Sequence, residues 1–350
     1  MTSGRLFLRI VILCAIAALG ASLGVVIGLP VPLLTGPALL ATAASLAGLP
    51  VTFPIPFRNC VFLLAGITIG AAVSRESLAA LATWPLAFTI LAGALVVMLL
   101  LGQWVLSTFL GSDRATGLLA TTPGHLSYVV AMGEEAGLDS RQIVIVQSVR
   151  IFALTMFVPF AARWMGVDTG IGVATGPGVM SPLVTGAAIL GAIALSPLLS
   201  RARLPAPMLM AGMIVGAALR VSEVAEGGLA QVVAFPTLAL IGTLIGSRFV
   251  GMKLGELKRW GGAGLLATSI AAGGALIASF LAAPIVGMPV IHVLVAFAPG
   301  GLETMAVMGA AIGANPGFVA AAHVLRLVIL SALVPILLAR ARRHAPPTDD

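Results

Sequence analysis

The sequence predicts an all-α polytopic membrane protein: two homologous repeats, inverted relative to each other, with about ten transmembrane helices and two broken or re-entrant segments. Three observations lead there: an apolar composition, a duplicated residue pattern, and a Pro-Gly pair in the middle of one apolar run in each copy. The chain is 59% hydrophobic and 9% charged, with a mean hydropathy of +1.13. Soluble domains are about a quarter charged. Runs of about 20 apolar residues match the span of a bilayer core. They recur over 10–28, 86–110, 143–160, 183–199, 265–286 and 319–338. The many Gly and Pro residues fit, since membrane helices tolerate both.

The duplication has an offset of 176 residues. Pro123-Gly124 recurs as Pro299-Gly300, Leu126 as Leu302, Met132-Gly133 as Met308-Gly309, Gly137 as Gly313, Arg150 as Arg326 and Pro159 as Pro335. Gly66 and Gly70 align with Gly242 and Gly246, and Leu29-Pro30-Val31-Pro32 aligns with Leu204-Pro205-Ala206-Pro207 at 175. A fixed offset across so many residue types marks an internal repeat. It divides the chain into repeat 1 (1–165), a Gly/Thr/Pro-rich linker (166–178), repeat 2 (179–340) and a tail (341–350).

Each repeat holds six apolar segments. In the first they cover roughly 6–28, 31–48, 57–73, 84–110, 115–133 and 141–163, and in the second 178–199, 206–220, 229–247, 260–287, 291–310 and 317–339. Residues 1–28 resemble a signal peptide, but the run is long for one and has a counterpart at 179–199, so it reads as a retained helix. Loop charge sets orientation. If the fifth segment of each copy enters and returns on one side, fourteen basic residues fall with the N-terminus: Arg5, Arg9, Arg58, Arg114, Arg141, Arg201, Arg203, Arg248, Lys253, Lys258, Arg259, Arg340, Arg342 and Arg343. Only Arg75, Arg163 and Arg220 fall opposite. This expects ten spans, inverted copies, both termini cytoplasmic, and a multi-pass protein of a bacterial-type inner membrane. The same asymmetry accounts for the net charge of +7 without nucleic acid.

The fifth segments carry Thr121-Thr122-Pro123-Gly124-His125 and Phe297-Ala298-Pro299-Gly300-Gly301. Proline removes an N–H and clashes with the preceding turn, while glycine permits reversal. A helix should stop and restart there, lining protein or a cavity. The restarted helix presents a positive dipole end that favours anions. Inverted repeats with such breaks are a secondary-transporter architecture.

An arginine inside an apolar run is expensive and marks a functional site. Arg150 lies nine residues after the interfacial Arg141, ~13 Å deep at ~1.5 Å per residue; Arg326 is equivalent. Gln147 and His323 precede them by three positions and share their helix faces. The arginines tie down carbonyls of the broken helix, contact an anionic substrate, or do both, or else snorkel to the surface. Glu303, three residues after Gly300, is a coupling site for a proton or cation, an ion partner for Arg326, or a helix cap or local salt bridge. Thr304 follows it. The first copy has Ser127 at the glutamate position and His125 at the Gly301 position. His125 is either a group titrating near neutral pH or a polar loop residue. The candidate substrate, ion or gating set is therefore Pro123, Gly124, His125, Ser127, Gln147, Arg150, Pro299, Gly300, Gly301, Glu303, Thr304, His323 and Arg326.

No H-x-x-x-H, C-x-x-C or G-x-x-x-x-G-K-[ST] pattern is present, and the four His are scattered. No cofactor, metal or catalytic residue is expected, and the chain is not read as an enzyme. Cys14 and Cys60 read as small buried hydrophobes. Gly20-Ala21-Ser22-Leu23-Gly24 matches a nucleophile elbow in letters only. Inside an apolar run it reads as small residues packing helices closely.

The duplicated Pro-Gly-x-Leu … Arg unit with Leu-Pro-x-Pro before it resembles the membrane AbrB-duplication family over roughly residues 10–340. Ala298–Met305 is similar to the family pattern, whereas His125 and Ser127 replace the Gly and Glu that the resemblance leads one to expect. Labels in that family are transcriptional regulator and ammonia monooxygenase. At fold level it is similar to cation–proton antiporter and bile-acid-type transporters. The resemblance thus implies a secondary transporter of a small anionic or zwitterionic metabolite bound between the repeats. The alternative it implies is a membrane-embedded regulator or sensor of gene expression. A membrane monooxygenase comes third, for want of metal ligands. Expected partners are the lipid bilayer, an unidentified small molecule and a second copy in a homodimer.

Overall fold

The computed structural model describes residues 3–73, 83–123, 126–170, 178–202, 204, 206–225 and 227–343. His125 and Gly124 of the candidate site lie outside them, as do the tail from 344 and linker residues 171–177. Among the described residues, helices run as two successive sets of seven. The first set is α1 (Ser3–Ile27), α2 (Pro32–Leu46), α3 (Ile55–Gly70), α4 (Trp84–Phe109), α5 (Arg114–Thr121), α6 (Leu126–Glu135) and α7 (Ser140–Trp164). The second is α8 (Pro182–Arg201), α9 (Pro207–Val221), α10 (Gln231–Gly246), α11 (Leu254–Val286), α12 (Val290–Phe297), α13 (Leu302–Ala311) and α14 (Pro316–Arg343). A single β-bridge joins Val179 and Gly228.

Seven of these helices are long and apolar enough to cross a membrane: α1, α4, α7, α8, α10 with the turn that follows it, α11 and α14. The other three expected spans, α2, α3 and α9, have 15, 16 and 15 residues. At ~1.5 Å per residue they reach only ~22–24 Å, short of a ~30 Å core. Flanking prolines cause the shortfall. Val31 and Ala206, each followed by a proline that opens the helix, take left-handed backbone at φ 48° and 44°. For a β-branched valine this is an outlier, and it recurs at the repeat offset.

Local signals set the other ends. Asp113 accepts from the Ala115 and Thr116 N–H groups at 3.0 Å and starts α5. Asp139 accepts from Gln142 N–H at 3.0 Å and starts α7. Asn315 does the same for α14, accepting from Gly317 and Phe318 N–H. These satisfy orphan donors of the first turn. Gly137 and Gly313, at φ 69° and 76°, end α6 and α13 in a conformation only glycine adopts freely.

The helices form two layers. One contains α1, α2, α3, α8, α9 and α10, and within it the pairs cross between the sets. α3 packs on α9, and α2 on α10. The repeated glycines make these contacts. A Cβ on Gly66 would collide with the Leu209 carbonyl, and one on Gly242 with the Leu34 carbonyl. A Cβ on Gly70 would lie 2.8 Å from Ala217 N, and one on Gly246 2.5 Å from Thr42 N. Both pairs of contacts match at the repeat offsets. Gly20 and Gly24 likewise bring α1 against Pro37 and Pro32 of α2, the close packing expected of that stretch. The second layer holds α4–α7 and α11–α14, with α11 against α4, α7 and α12. Trp84, Phe88, Phe297 and Phe318 form an aromatic cluster in it. Cys14 and Cys60 are free but lie on the outer surface rather than inside. In a lipid-solvated helix an apolar residue has no reason to turn inward.

Candidate functional site

Both mid-run breaks are present. The helix that begins at Arg114 ends at Thr121 and resumes at Leu126, and the one from Val290 ends at Phe297 and resumes at Leu302. Thr122 and Ala298 take extended backbone, so their carbonyls leave the helical ladder. An arginine on the following long helix reaches each break. Arg150 Nη1 donates to the Thr121 and Thr122 carbonyls at 3.2 Å, and Nη2 donates to Gln147 Oε1 at 2.6 Å. Arg326 donates through Nη1 to Ala298 O at 2.9 Å and through Nη2 to Gly300 O at 2.8 Å. Their exposures are 1% and 3%, so unpaired carbonyls or guanidinium donors here would carry a full desolvation penalty.

Their i−3 neighbours behave differently. Gln147 donates to the Leu119 and Thr122 carbonyls at 2.9 and 2.8 Å and so helps to clasp the first break. His323 Nδ1 donates to Val319 O of its own helix at 2.9 Å, and its buried Nε2 has no partner. Thr304 is buried with its hydroxyl unpartnered.

Glu303 sits in the first turn of α13, its carboxylate folded back over Gly301. Its ion partner is Arg248, at 2.8 Å, rather than Arg326. Arg248 follows α10 directly and belongs to the set expected in cytoplasmic loops. The structure brings it inward because close packing of Gly242 and Gly246 draws the end of α10 against α2.

These groups line one cavity of 680 Å³ between the two layers. From the second layer come Leu126, Arg150, Ile151, Gly300, Gly301, Leu302, Glu303, Arg326 and Leu327. From the first come Arg58, Asn59 and Phe62 of α3, Ser196, Pro197 and Ser200 of α8, Ala206–Met208, and Leu244, Ser247 and Arg248. Of the candidate residues, Arg150, Gly300, Gly301, Glu303 and Arg326 meet at this cavity. Pro123, Gln147, Pro299, Thr304 and His323 are buried and are not among its lining residues. Ser127 begins α6 beside Leu126, and nothing further is described of its side chain. Sequence reasoning missed Arg58, Arg248 and the serines. The repeat gave no signal for the two arginines: Arg58 aligns with Ala234 and Arg248 with Ala72, but loop arginines such as Arg141 and Arg220 lack a counterpart as well.

Among the lining residues four arginines oppose one carboxylate. Among the described residues, no three His, Cys, Asp or Glu side chains are placed to hold a metal ion.

A family model described as transition state regulatory protein AbrB matches residues 33–342. The chain belongs to the AbrB family. Within it, the chain is similar to an uncharacterized protein YhjN of Bacillus subtilis (strain 168), 25% identical over 293 residues, covering 78% of this chain and 75% of that protein. It is also similar to the "Putative regulator AbrB" of Escherichia coli (strain K12), 24% identical over 346 residues, covering 95% and 97%. The family match takes in both helix breaks, both buried arginines and most of the cavity lining of this AbrB-family chain.

Proposed function

We propose that the chain is a secondary transporter of a small anionic or zwitterionic metabolite, bound in the cavity between the two helix layers. The observation that carries this reading is the cavity's makeup: four arginines, one glutamate and two interrupted helices converge on it. Buried charges such as Arg150 and Arg326 are costly in an apolar protein, and intramembrane ionisable groups mark substrate and ion pathways. Half-helix N-termini suit an anion.

The same reading makes the two helix sets inverted copies with ten spans, in a bacterial-type inner membrane, with both termini cytoplasmic. Exchange of helix partners across the sets supports a two-fold relation, because a two-fold axis converts the α2–α10 pair into α9–α3. Loop charge supports the inversion. On that topology Arg58 and Arg248 stand at the cytoplasmic side, so the cavity faces the cytoplasm.

The test is flux into proteoliposomes for a panel of small anions and zwitterions chosen by ligand-induced thermal shift. Saturable flux absent from empty vesicles is expected. Folded protein that carries none of the solutes that stabilise it would defeat the proposal. The regulatory family description and the name of the E. coli relative favour a second reading, a membrane sensor. An expression phenotype that persists in a folded, transport-inactive variant would favour that reading.

A further inference from the structure

The four arginines are not equivalent. Arg150 and Arg326 commit their terminal nitrogens to backbone carbonyls, with Gln147 as a further partner of Arg150. Their terminal nitrogens are engaged, and only Nε of each is left without a partner. Arg58 and Arg248 differ. Arg58 lies near the Phe62 ring, 6.0 Å from its centroid, with no hydrogen-bond or ion-pair partner among the described residues. Arg248 commits only Nη2, to Glu303; Nε is unpartnered in Arg150, Arg248 and Arg326 alike, so the difference lies in the terminal nitrogens.

We propose that Arg58 and Arg248 are the substrate-reading side chains, and that the ligand is a small di- or tricarboxylate, one carboxylate of which replaces Glu303 on Arg248. This deepens the transport reading and rests on it. The charge balance carries the argument: among the described residues, the lining side chains sum to three positive charges. A zwitterion leaves that excess untouched and a monoanion leaves most of it. A di- or trianion offsets most or all of it in a cavity where unpaired charge is expensive. A free carboxylate and a fork of guanidinium donors make the strong, bidentate kind of hydrogen bond. Glu303 then acts as the resident carboxylate that holds Arg248 while the site is empty of ligand.

The test uses purified full-length protein at fixed ionic strength, titrated calorimetrically with citrate, succinate, acetate, inorganic phosphate and glutamine. Citrate or succinate is expected to bind at least about tenfold more tightly than acetate or glutamine. Arg58→Ala and Arg248→Ala should each weaken that binding by about tenfold or more. Glu303→Gln should tighten it, because the internal competitor is gone. Arg58 is exposed and unpartnered, so its variant folds even where Glu303→Gln does not. Glutamine binding as tightly as succinate, phosphate binding in preference to the carboxylates, or unchanged binding in Arg58→Ala would overturn the proposal. So would weaker binding in Glu303→Gln at an unchanged melting temperature. Flux of another solute without carboxylate binding would overturn this inference alone. Carboxylate binding with these signs but no flux would overturn the transport reading alone.

Discussion

Arg150 and Arg326 stand in the same relation to their helix breaks: each reaches back 28 residues to the last carbonyl before the Pro-Gly pair, at Thr122 and Ala298. The contact joins two segments of one repeat and fixes where each half-helix ends. These two of the four cavity-lining arginines therefore build the site before any ligand enters.

Arg326→Ala should abolish transport more completely than Glu303→Gln. It strands the Ala298 and Gly300 carbonyls, at about 1–3 kcal/mol each, and removes a cavity charge. Glu303→Gln removes one partly exposed ion pair. If Glu303 is a coupling site, exchange survives in Glu303→Gln and the pH or cation dependence of net flux disappears. Flux and melting temperature of both variants check this. Full activity in a folded Arg326→Ala protein would mean that the repeated arginine is not the functional centre.

Gln147→Leu should cost about 1–3 kcal/mol more than His323→Leu. Gln147 serves the Leu119 and Thr122 carbonyls and accepts from Arg150, while His323 serves a carbonyl of its own helix. Chemical denaturation in one detergent compares the two; equal losses would contradict the asymmetry.

Gly66→Ala and Gly242→Ala should each destabilise by about 1–3 kcal/mol, the usual range for overpacking. The added methyl meets backbone carbonyl in both, at Leu209 and Leu34, and backbone cannot swing aside as a side-chain tip does. Thermal melts of the two variants should shift alike. A neutral result at either would mean that the cross-set contact is looser than described.

Arg141→Ala should change stability by under about 1 kcal/mol. The Arg141–Glu256 pair is short, at 2.9 Å, but its side chains are 55% and 29% exposed. A melting shift as large as that of Arg326→Ala would contradict this ranking of exposed against buried guanidinium contacts.

Reporter fusions should place both termini in the cytoplasm. A C-terminus outside would remove the inverted arrangement and with it the cytoplasmic opening of the cavity.

Helix positions were largely legible in the sequence, because an apolar run and a Pro-Gly pair act locally. The break at Thr122 follows from Pro123, and α13 begins one residue past Gly301 as its glycines suggest. The three short helices were legible too: segments 31–48, 57–73 and 206–220 lie within a few residues of α2, α3 and α9, and only the left-handed backbone at Val31 and Ala206 had no local signal. Arg150 and Arg326 announced themselves by standing inside hydrophobic runs. Arg58 and Arg248 did not, because an arginine near a helix end satisfies loop-charge reasoning without entering a site. Their convergence depends on α3 meeting α9 and α10 meeting α2, which are long-range contacts with no local signature. The pairing of Glu303 with Arg248 was hidden for the same reason.

The exchange of helices between the sets also constrains how the chain can be made. α3 carries Gly66 and Gly70 on the face that α9 fills, and α2, which packs on α1 through Gly36, offers a second face to Gly242 and Gly246 of α10; both of these faces stay unmatched until α9 and α10 have followed. The N-terminal half therefore enters the bilayer as an unfinished surface. Assembly of the first layer must wait for synthesis of the second half, so a ribosome stalled in the linker would leave a fragment with no way to complete itself.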